Sequence, residues 1–127
     1  MTTECPFCRI SKPVLENDLA FAVYDTFPVN EGHLLVIPRR HYAGFFESTG
    51  GEYAAILELI LQGKELLDVR YGPAGYNVGV NVGTASGQTI MHVHVHLIPR
   101  YPGDIEDPVG GVRGVIPARQ KYPQRSD

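Results

Sequence analysis

The sequence predicts a single α+β domain in which one long helix accompanies several antiparallel strands. The chain has 127 residues, 43% of them apolar, which suits one globular domain. One stretch repeats its apolar residues with the period of a helix, and four others carry strand-like runs or alternation. One helix among several such strands is typical of the α+β class.

The first strands form a predicted hairpin. Residues 5–16 are interrupted by prolines and leave room for one helical turn. Residues 19–24 are apolar and aromatic, which fits a strand, and residues 25–32 supply turn residues. Residues 33–37 form a second strand, which we expect Pro38 to end. Together these segments predict a hairpin with a wide loop.

A long helix follows the hairpin. Thr49 and Glu52 have the spacing of a capping box, in which each side chain bonds to the backbone N–H of the other residue. Apolar residues then recur at helical intervals. This apolar stripe consists of Tyr53, Ile56, Leu57, Ile60, Leu61 and Leu67. We expect the helix to run to about residue 69, where Gly72 and Pro73 end it.

The last third of the chain contains two more predicted strands. Residues 76–82 alternate between apolar side chains and Asn or Gly, which predicts a strand with two distinct faces. Residues 83–87 are small and form a loop, and residues 91–98 form a strong strand that Pro99 closes. Residues 101–127 are rich in Gly, Pro and charge, which predicts a tail of loop or coil, docked or partly disordered.

Three of the five histidines, His92, His94 and His96, alternate on the last predicted strand. Alternate side chains share one face, so these rings are expected in a row about 6.6 Å apart, opposite the core-facing valines. Apolar residues would fill a core better, because buried imidazole nitrogens need partners. The row therefore indicates a metal site or a catalytic array, since imidazole with a pKa near ~6.5 serves as nucleophile, acid or base.

Charge and composition exclude several classes of function. The net charge is −3, which gives no support for a nucleic-acid partner. The first residues lack a basic start followed by an apolar run, and no apolar stretch approaches the ~20 residues of a membrane helix. We therefore expect a soluble cytoplasmic protein with no membrane partner, whose two cysteines are thiols or metal ligands.

The histidine segment resembles the signature of the histidine triad (HIT) family, His-φ-His-φ-His-φ-φ. Residues 87–89, Gly-Gln-Thr, precede the triad by two residues, and residues 92–98 carry it. Residues 22–38 are similar to the family's first hairpin, and residues 5–8 read Cys-Pro-Phe-Cys, as in its bacterial nucleotide-binding branch. Pro99 and Arg100 after the triad are similar to the fragile-histidine-triad branch, so the chain combines features of two branches.

The resemblance implies a fold and an activity. The fold would be an α/β roll over residues 1–127, with an antiparallel sheet of about five strands, one long helix and a short N-terminal helix. The activity would be that of a homodimeric enzyme that binds purine nucleotides. It would hydrolyse or transfer at the α-phosphate of dinucleoside polyphosphates or nucleoside phosphoramidates.

The resemblance also assigns the site residues. His94 would attack the α-phosphorus and form a covalent nucleotidyl-histidine, which splits one displacement into two. His96 would bond the phosphate or assist the leaving group, and His33 would help to position the site. The substrate-binding positions implied by the family are Asp25, for the ribose hydroxyls, and Asn81, Gly87, Thr89 and the weaker candidate Gln88, for the phosphates.

Three of these residues also have ordinary structural readings. Asp25 starts turns before proline well, Asn81 suits the polar end of a strand, and a lone histidine such as His33 is most often structural. The resemblance shifts all three towards function.

The cysteine pair, Cys5 and Cys8, supplies half of a tetrahedral zinc site. In HIT proteins with this pair, the residues that match His41 and His92 complete a structural zinc, so we predict these four ligands and no organic cofactor. One alternative is a redox pair of the glutaredoxin kind, although only four residues precede Cys5 and that chemistry usually has a strand before the motif. A second alternative is a degenerate site that binds no metal.

Two further functions remain open at this point. A nucleotide-binding scaffold with slow turnover would keep the same residues as the enzyme. A metalloenzyme would use His92, His94 and His96 together as catalytic zinc ligands.

Overall fold

The computed structural model describes residues 5–123 and has one five-stranded antiparallel sheet and one α-helix. The main elements are β1 (Leu15–Glu16), β2 (Ala20–Tyr24), β3 (Leu34–Pro38), α1 (Gly50–Tyr71), β4 (Gly75–Val80) and β5 (Val95–Arg100). The strand order is β1-β2-β3-β5-β4. Short 3-10 helices span Pro6–Arg9, Phe45–Glu47, Thr84–Ser86, Gly111–Val115 and Pro117–Arg119. The predicted α+β fold with five strands, one long helix and a short N-terminal helix is confirmed.

Helix α1 packs on one face of the sheet. Its buried residues include Ile56, Leu59, Gly63 and Leu67, which follow each other at intervals of three or four. They meet Ala20, Ala22, Leu34, Val36, Val95 and Leu97 from the central strands. A Cβ on Gly63 would lie 3.1 Å from the side chain of Leu97 and 3.2 Å from that of Leu34. Glycine at this position therefore lets the helix lie close to the sheet.

The predicted apolar stripe of the helix is wrong in part. Leu57 and Leu61 are exposed, whereas Leu59, which was not in the stripe, is fully buried. The spacing of apolar residues along this helix is compatible with two overlapping apolar faces, and the sheet covers only one of them. The helix also runs two residues past the predicted end, to Tyr71, where Gly72 with φ +58° closes it.

Two prolines are part of the strands that they were expected to end. Pro38 pairs with Ala20 as the last residue of β3, so this strand ends there as predicted. Pro99 lies opposite Tyr76 within β5, which continues to Arg100, so the prediction that Pro99 closes the strand is wrong. Each proline turns its missing N–H towards a side where pairing has already ended, because β3 and β5 pair only over residues 34–36 and 95–97. The carbonyls on those sides are bonded instead by side chains, Pro38 by His92 and Pro99 by Asn30.

The prediction of one strand over residues 91–98 is wrong at its start. Strand β5 begins at Val95, so His92 and His94 precede it and the three rings do not form one row. Pairing with β3 ends at Val36, and the backbone N–H of Val93 bonds to Tyr42 instead of to the sheet. Residues 95–98 keep the predicted alternation, with Val95 towards the helix and His96 on the opposite face.

The sheet face opposite α1 is covered at its two ends by the ends of the chain. Near the N-terminus, Phe7 and Ile10 pack on the cluster of Phe21, Leu35 and Ile37. At the other end, the 3-10 helix Gly111–Val115 lies beside β4. The tail was predicted as loop or coil over residues 101–127; its described part, residues 101–123, contains two short 3-10 helices among its loops, and residues 124–127 lie outside the described residues. Among residues 5–123, no helix has the length and apolarity that crossing a bilayer requires.

Glu52 is a buried charge that connects the start of α1 to the rest of the domain. Its carboxylate accepts two hydrogen bonds from Arg40, at 3.0 and 2.8 Å, and one from the backbone N–H of Thr49. The hydroxyl of Thr49 accepts from the N–H of Glu52, which confirms the predicted capping box. The Arg40 guanidinium is the main reason that the pKa of Glu52 is lowered to about 2.

We expect Glu52→Gln to lower the free energy of unfolding by about 1–2 kcal/mol at pH 7, because two charge-assisted hydrogen bonds are weakened. A carboxylate with a lowered pKa stabilises the fold above its unfolded pKa and loses that contribution as the pH falls. The difference between variant and wild type should therefore shrink between pH 4.5 and 2. Urea unfolding at several pH values measures this, and the exposed Glu65→Gln is the control; equal stabilities at pH 7 would contradict the prediction.

Candidate functional site

The candidate site lies on the sheet face opposite α1, where β5 runs between β3 and β4. His96 pairs with Leu35 on one side and with Gly79 on the other. Gly79 leaves space beside the imidazole, and Asn77, two residues earlier in the chain, lies on the same face of β4. A cleft of about 720 Å³ opens here, and Asp25, His33 and His96 line it. This is the size at which small-molecule sites are usually found.

His33 and His96 form a hydrogen-bonded relay. Nδ1 of His33 accepts from the backbone N–H of Val29 at 3.1 Å, so the ring hydrogen of neutral His33 is on Nε2. Nε2 of His33 lies 3.0 Å from Nδ1 of His96 and 3.5 Å from a carboxylate oxygen of Asp25. His96 therefore accepts at Nδ1 and carries its own hydrogen on Nε2. These tautomers follow from the network of partners.

His94 is held by the backbone of its neighbour. Its Nδ1 donates to the carbonyl oxygen of His92 at 2.8 Å, because a carbonyl can only accept. The lone pair of neutral His94 is consequently on Nε2. The residue is 9% exposed, and its ring centroid lies 4.9 Å from that of Phe7 and 5.3 Å from that of His96.

Burial keeps two of the site histidines uncharged at neutral pH. Desolvation lowers the pKa of His33, partly opposed by the charge of Asp25. Desolvation also lowers the pKa of His96 to about 4, and the neighbouring imidazoles of His94 and His33 add to this shift. Both rings are thus neutral near pH 7, as the relay of tautomers requires.

The loop between β4 and β5 carries the remaining predicted substrate residues. Asn81 follows β4 and lines the cleft, whereas Gly87, with φ +100°, and Thr89 are exposed in the loop. Gln88 is buried and uses both amide hydrogens within the protein, on the carbonyls of Ala43 and Ile90. Its side-chain oxygen accepts from the N–H of Gly83. Through these hydrogen bonds Gln88 holds the loop between β4 and β5 in place.

A second cluster joins the four predicted metal ligands. Nδ1 of His92 lies 3.4 Å from Sγ of Cys5, 3.5 Å from Sγ of Cys8 and 3.2 Å from Nδ1 of His41. Sγ of Cys8 lies 3.3 Å from Nδ1 of His41. Tetrahedral zinc, with Zn–S of about 2.3 Å and Zn–N of about 2.0–2.1 Å, places neighbouring ligands roughly 3.3–3.8 Å apart. The donor set and its spacing thus fit a zinc ion.

Hydrogen bonding prepares His92 to be a metal ligand. Its Nε2 donates to the carbonyl of Pro38 at 2.7 Å, which leaves the lone pair of Nδ1 directed at the cysteines. Both cysteines are free thiols, so the structure contains no disulfide between Cys5 and Cys8. The hypothesis of a catalytic zinc held by all three triad histidines is contradicted, because the ring of His92 joins the cysteines and Nδ1 of His94 faces a carbonyl.

Two groups near the site were given no role from the sequence. Phe7 stands between the two cysteines in the chain, and its ring packs on both His92 and His94. Val112 and Val115 reach the cleft from the tail. Both groups are apolar residues in segments rich in Cys, Pro or Gly, where apolar side chains carry no local signal of function.

The arrangement suits one kind of chemistry. Nε2 of His94 carries a lone pair, and the ring of His94 lies 5.3 Å from that of His96, whose Nε2–H is a donor. His96 and Asp25 line the cleft, whereas His94 adjoins it through His96. A lone pair, a hydrogen-bond donor and a carboxylate that accepts from hydroxyl groups suit a ligand that carries both phosphate and hydroxyl groups.

Comparison with known proteins finds relatives that share one family domain with this chain. The HIT domain family matches residues 9–103. An uncharacterized HIT-like protein of Methanocaldococcus jannaschii is 39% identical over 80% of this chain and 83% of its own length. An adenosine 5'-monophosphoramidase of Schizosaccharomyces pombe is 36% identical over 76% and 74%. An AP-4-A phosphorylase of Mycobacterium tuberculosis is 35% identical over 72% of this chain and 47% of that enzyme.

Solved structures of HIT family proteins share the fold of this chain. The crystal structure of a HIT family protein from Bacillus anthracis superposes with a TM-score of 0.75 at 31% identity, over 82% of this chain and 78% of that chain. A zinc-bound histidine triad family protein from Mycobacterium smegmatis superposes with a TM-score of 0.71 at 27% identity, over 79% and 77%.

We expect the ring of His96 to stay neutral between pH 8 and 5.5 in the folded protein, because its pKa lies near 4. NMR of isotope-labelled histidine measures this, and a His96→Asn variant assigns the signal. In urea-unfolded protein the same ring should titrate near ~6.5. A midpoint near 6.5 in the folded protein would contradict the relay.

Proposed function

The chain belongs to the HIT family, and from this premise we propose that it cleaves nucleotides at the α-phosphate through a covalent nucleotidyl-histidine on His94. The observation that carries the proposal is the hydrogen bond from Nδ1 of His94 to the carbonyl of His92. This bond leaves the lone pair of His94 on Nε2, and the ring lies 5.3 Å from that of His96, which lines the cleft. The orientation of the nucleophile is thereby set before any substrate binds.

The reaction proceeds in two displacements. Nε2 of His94 attacks the α-phosphorus, a bond to phosphorus forms, and the bond to the leaving group breaks with its electron pair. An amine leaving group takes one proton from solvent, while a phosphate leaves as an anion. Water then attacks the nucleotidyl-histidine, the P–N bond to His94 breaks, and the proton from water returns to solvent. The products are a nucleoside monophosphate and free His94.

The other two histidines stabilise charge in this scheme. Nε2–H of His96 donates to the phosphate oxygen as negative charge develops on it. His33 fixes the tautomer of His96 through its 3.0 Å contact and is itself fixed by the N–H of Val29. At a pKa near 4, His96 acts as a hydrogen-bond donor at pH 7, and its role needs no proton transfer.

We place the nucleoside on the Asp25 side of the site. Asp25 accepts the N–H of Phe27 at 2.9 Å and lies in reach of His33, so its carboxylate is held towards the cleft for the ribose hydroxyls. Val23 precedes it on the same strand face and lies with Phe7 in one apolar cluster beside His94. This cluster offers an apolar surface for the purine base. Asn81, Gly87 and Thr89 are kept as phosphate contacts.

The named relatives support a nucleotide as the substrate. One is an adenosine 5'-monophosphoramidase and another an AP-4-A phosphorylase.

The cysteine cluster is proposed to hold a structural zinc on Cys5, Cys8, His41 and His92. The zinc-bound relative supports this, as do the ligand spacings. Bound zinc would tie the N-terminal segment, with Phe7, to the sheet. The chemistry at His94 needs no metal.

We also propose a homodimer. Strand β4 is at the edge of the sheet, with no partner on its outer side among residues 5–123. Val78 on this strand and Leu57 and Leu61 on α1 are exposed apolar residues. An open edge with apolar neighbours favours pairing with a second copy. A cytoplasmic location remains a prediction, supported by the two free thiols.

Protein quenched during turnover of an adenosine phosphoramidate or a diadenosine polyphosphate should carry one adenylyl group on His94. Mass spectrometry of peptides measures this. His94→Asn should lose the adduct and at least about 1,000-fold in kcat, because it removes the nucleophile. The exposed Val69→Ala is the control. Wild-type turnover no faster than that of His94→Asn would favour a nucleotide-binding scaffold instead.

Protein purified without added metal should contain close to one zinc per chain. Elemental analysis measures this, and the Cys5→Ser/Cys8→Ser double variant should retain little zinc and melt at a lower temperature. His96→Asn, which leaves all four ligands intact, should keep its zinc. Less than ~0.5 equivalents in the wild type, with both thiols readily alkylated, would end the proposal.

A further inference from the structure

Residues 99–104, called here the post-triad anchor, hold the loop between β2 and β3. The side-chain nitrogen of Asn30 in that loop donates to the backbone carbonyl of Pro99 at 3.1 Å. The same nitrogen donates to the carboxylate of Asp104 at 2.8 Å. Both hydrogens of the Asn30 amide group are thus bound by residues 69 and 74 positions further along the chain. The segment that leaves β5 is therefore bound to the turn that enters β3.

Asp104 is held in place by Arg100. Its two carboxylate oxygens accept from Nε and Nη2 of Arg100, at 2.7 and 2.8 Å, which makes the pair bidentate. Nη1 of Arg100 donates to the side-chain oxygen of Asn77 on β4 at 2.6 Å, so the guanidinium is itself fixed to the sheet. The Asp104 side chain is only 10% exposed, and water competes little for it. Asp104 is therefore a fixed, charged acceptor for Asn30.

The turn that contains Asn30 also carries the N–H that determines the tautomer of His33. That N–H belongs to Val29 and donates to Nδ1 of His33 at 3.1 Å. The backbone N–H of His33 donates to the carbonyl of Asn30 at 3.2 Å. From the anchor, the hydroxyl of Tyr101 donates to the carbonyl of Glu31 at 2.6 Å. The anchor thus holds two consecutive residues of the turn in which Val29 and His33 meet.

The N–H of Val29 gives the imidazole relay its direction. While it donates to Nδ1 of His33, the hydrogen of that ring is on Nε2, and His96 keeps its own hydrogen on Nε2. If this N–H moved away, His33 would be free to carry its hydrogen on Nδ1 and to accept from Nδ1–H of His96. Nε2 of His96 would then present a lone pair in place of a donor. Asp25, 3.5 Å from Nε2 of His33, favours the first direction as well, so loss of the N–H would reverse only part of the population.

We propose that the post-triad anchor is a positioning unit, which fixes the direction of the imidazole relay by holding the turn through Asn30. The inference rests on the proposed function, because the donor on His96 matters to the reaction only if a phosphate binds beside it. Asn30, Arg100 and Asp104 are not among the described residues that line the cleft. The anchor acts through the relay, so its loss should lower kcat and leave substrate binding almost unchanged.

Asn30→Ala tests the proposal, because it removes both side-chain bonds from the turn and leaves the rest of the anchor intact. With adenosine 5′-phosphoramidate as substrate, kcat should fall about tenfold, and KM should change by less than about twofold. Asn17→Ala is the matched control. The amide nitrogen of Asn17 likewise donates to a backbone carbonyl and a carboxylate, those of Ala55 and Glu58, both at 3.0 Å, but on helix α1. This control should change kcat by less than about twofold.

The tautomers are measured without substrate, by NMR of isotope-labelled histidine at neutral pH. In the wild type, His33 and His96 should each carry their hydrogen on Nε2, with the signals assigned by His33→Asn and His96→Asn. In Asn30→Ala, part of the His33 population should carry it on Nδ1 instead. Asp104→Asn, which keeps the shape of the side chain but removes its charge, should cause the same changes to a smaller degree. It decides the question if Asn30→Ala does not fold.

A fall in kcat without a change of tautomer would overturn the proposal, since it would give Asn30 an ordinary role in stability. A change of tautomer with kcat unaltered would overturn it as well, and so would an equal loss of kcat in Asn17→Ala. A wild type with hydrogen on Nδ1 of either ring would contradict the relay itself. If the wild type cleaves no nucleotide, the proposed function fails, and control of the relay by the anchor is then decided by the tautomers alone.

Discussion

The hydrogen bond from Nδ1 of His94 to the carbonyl of His92 is the contact on which the rest of the site depends. It sets the tautomer of one ring and its orientation at once, and it does so with a backbone atom that cannot rotate away. Residues 92–94 precede β5, so this bond lies just outside the regular strand.

His92 connects the two halves of the site. Its carbonyl holds His94, its Nε2 bonds to Pro38, and its Nδ1 faces the cysteines. The N-terminal segment adds a second connection, because Phe7 packs on both rings. The cysteine cluster is therefore connected to His94 through the backbone carbonyl of His92 and the ring of Phe7. A change in the position of Cys5–Cys8 would therefore alter the surroundings of His94 through Phe7 and His92.

The sequence predicted the class of fold and the long helix with its capping box, because each leaves a local pattern. The family resemblance, and no local pattern, predicted that Cys5, Cys8, His41 and His92 lie together, as they do in the structure. The sequence did not predict the start of β5. The alternation of apolar and polar residues continues back to His92, but the pairing of β5 with β3 stops at Val36. Nor did it predict that Leu59 is buried and Leu57 exposed, because the position of the sheet decides which of the two apolar helix faces is covered. The close fit of Gln120 against Gly110 depends on contacts across the tail, which no local pattern records.

The pairing of β3 with β5 also has a consequence for how the protein forms. His33 and His96 are separated by 63 positions in the chain, and their contact requires that these two strands have already joined. Such distant pairing closes a long loop and is slow compared with forming a helix. Helix α1 can therefore form early from local contacts, while the imidazole relay assembles late. During synthesis on the ribosome, the contact between His33 and His96 would therefore form only after β5 has emerged.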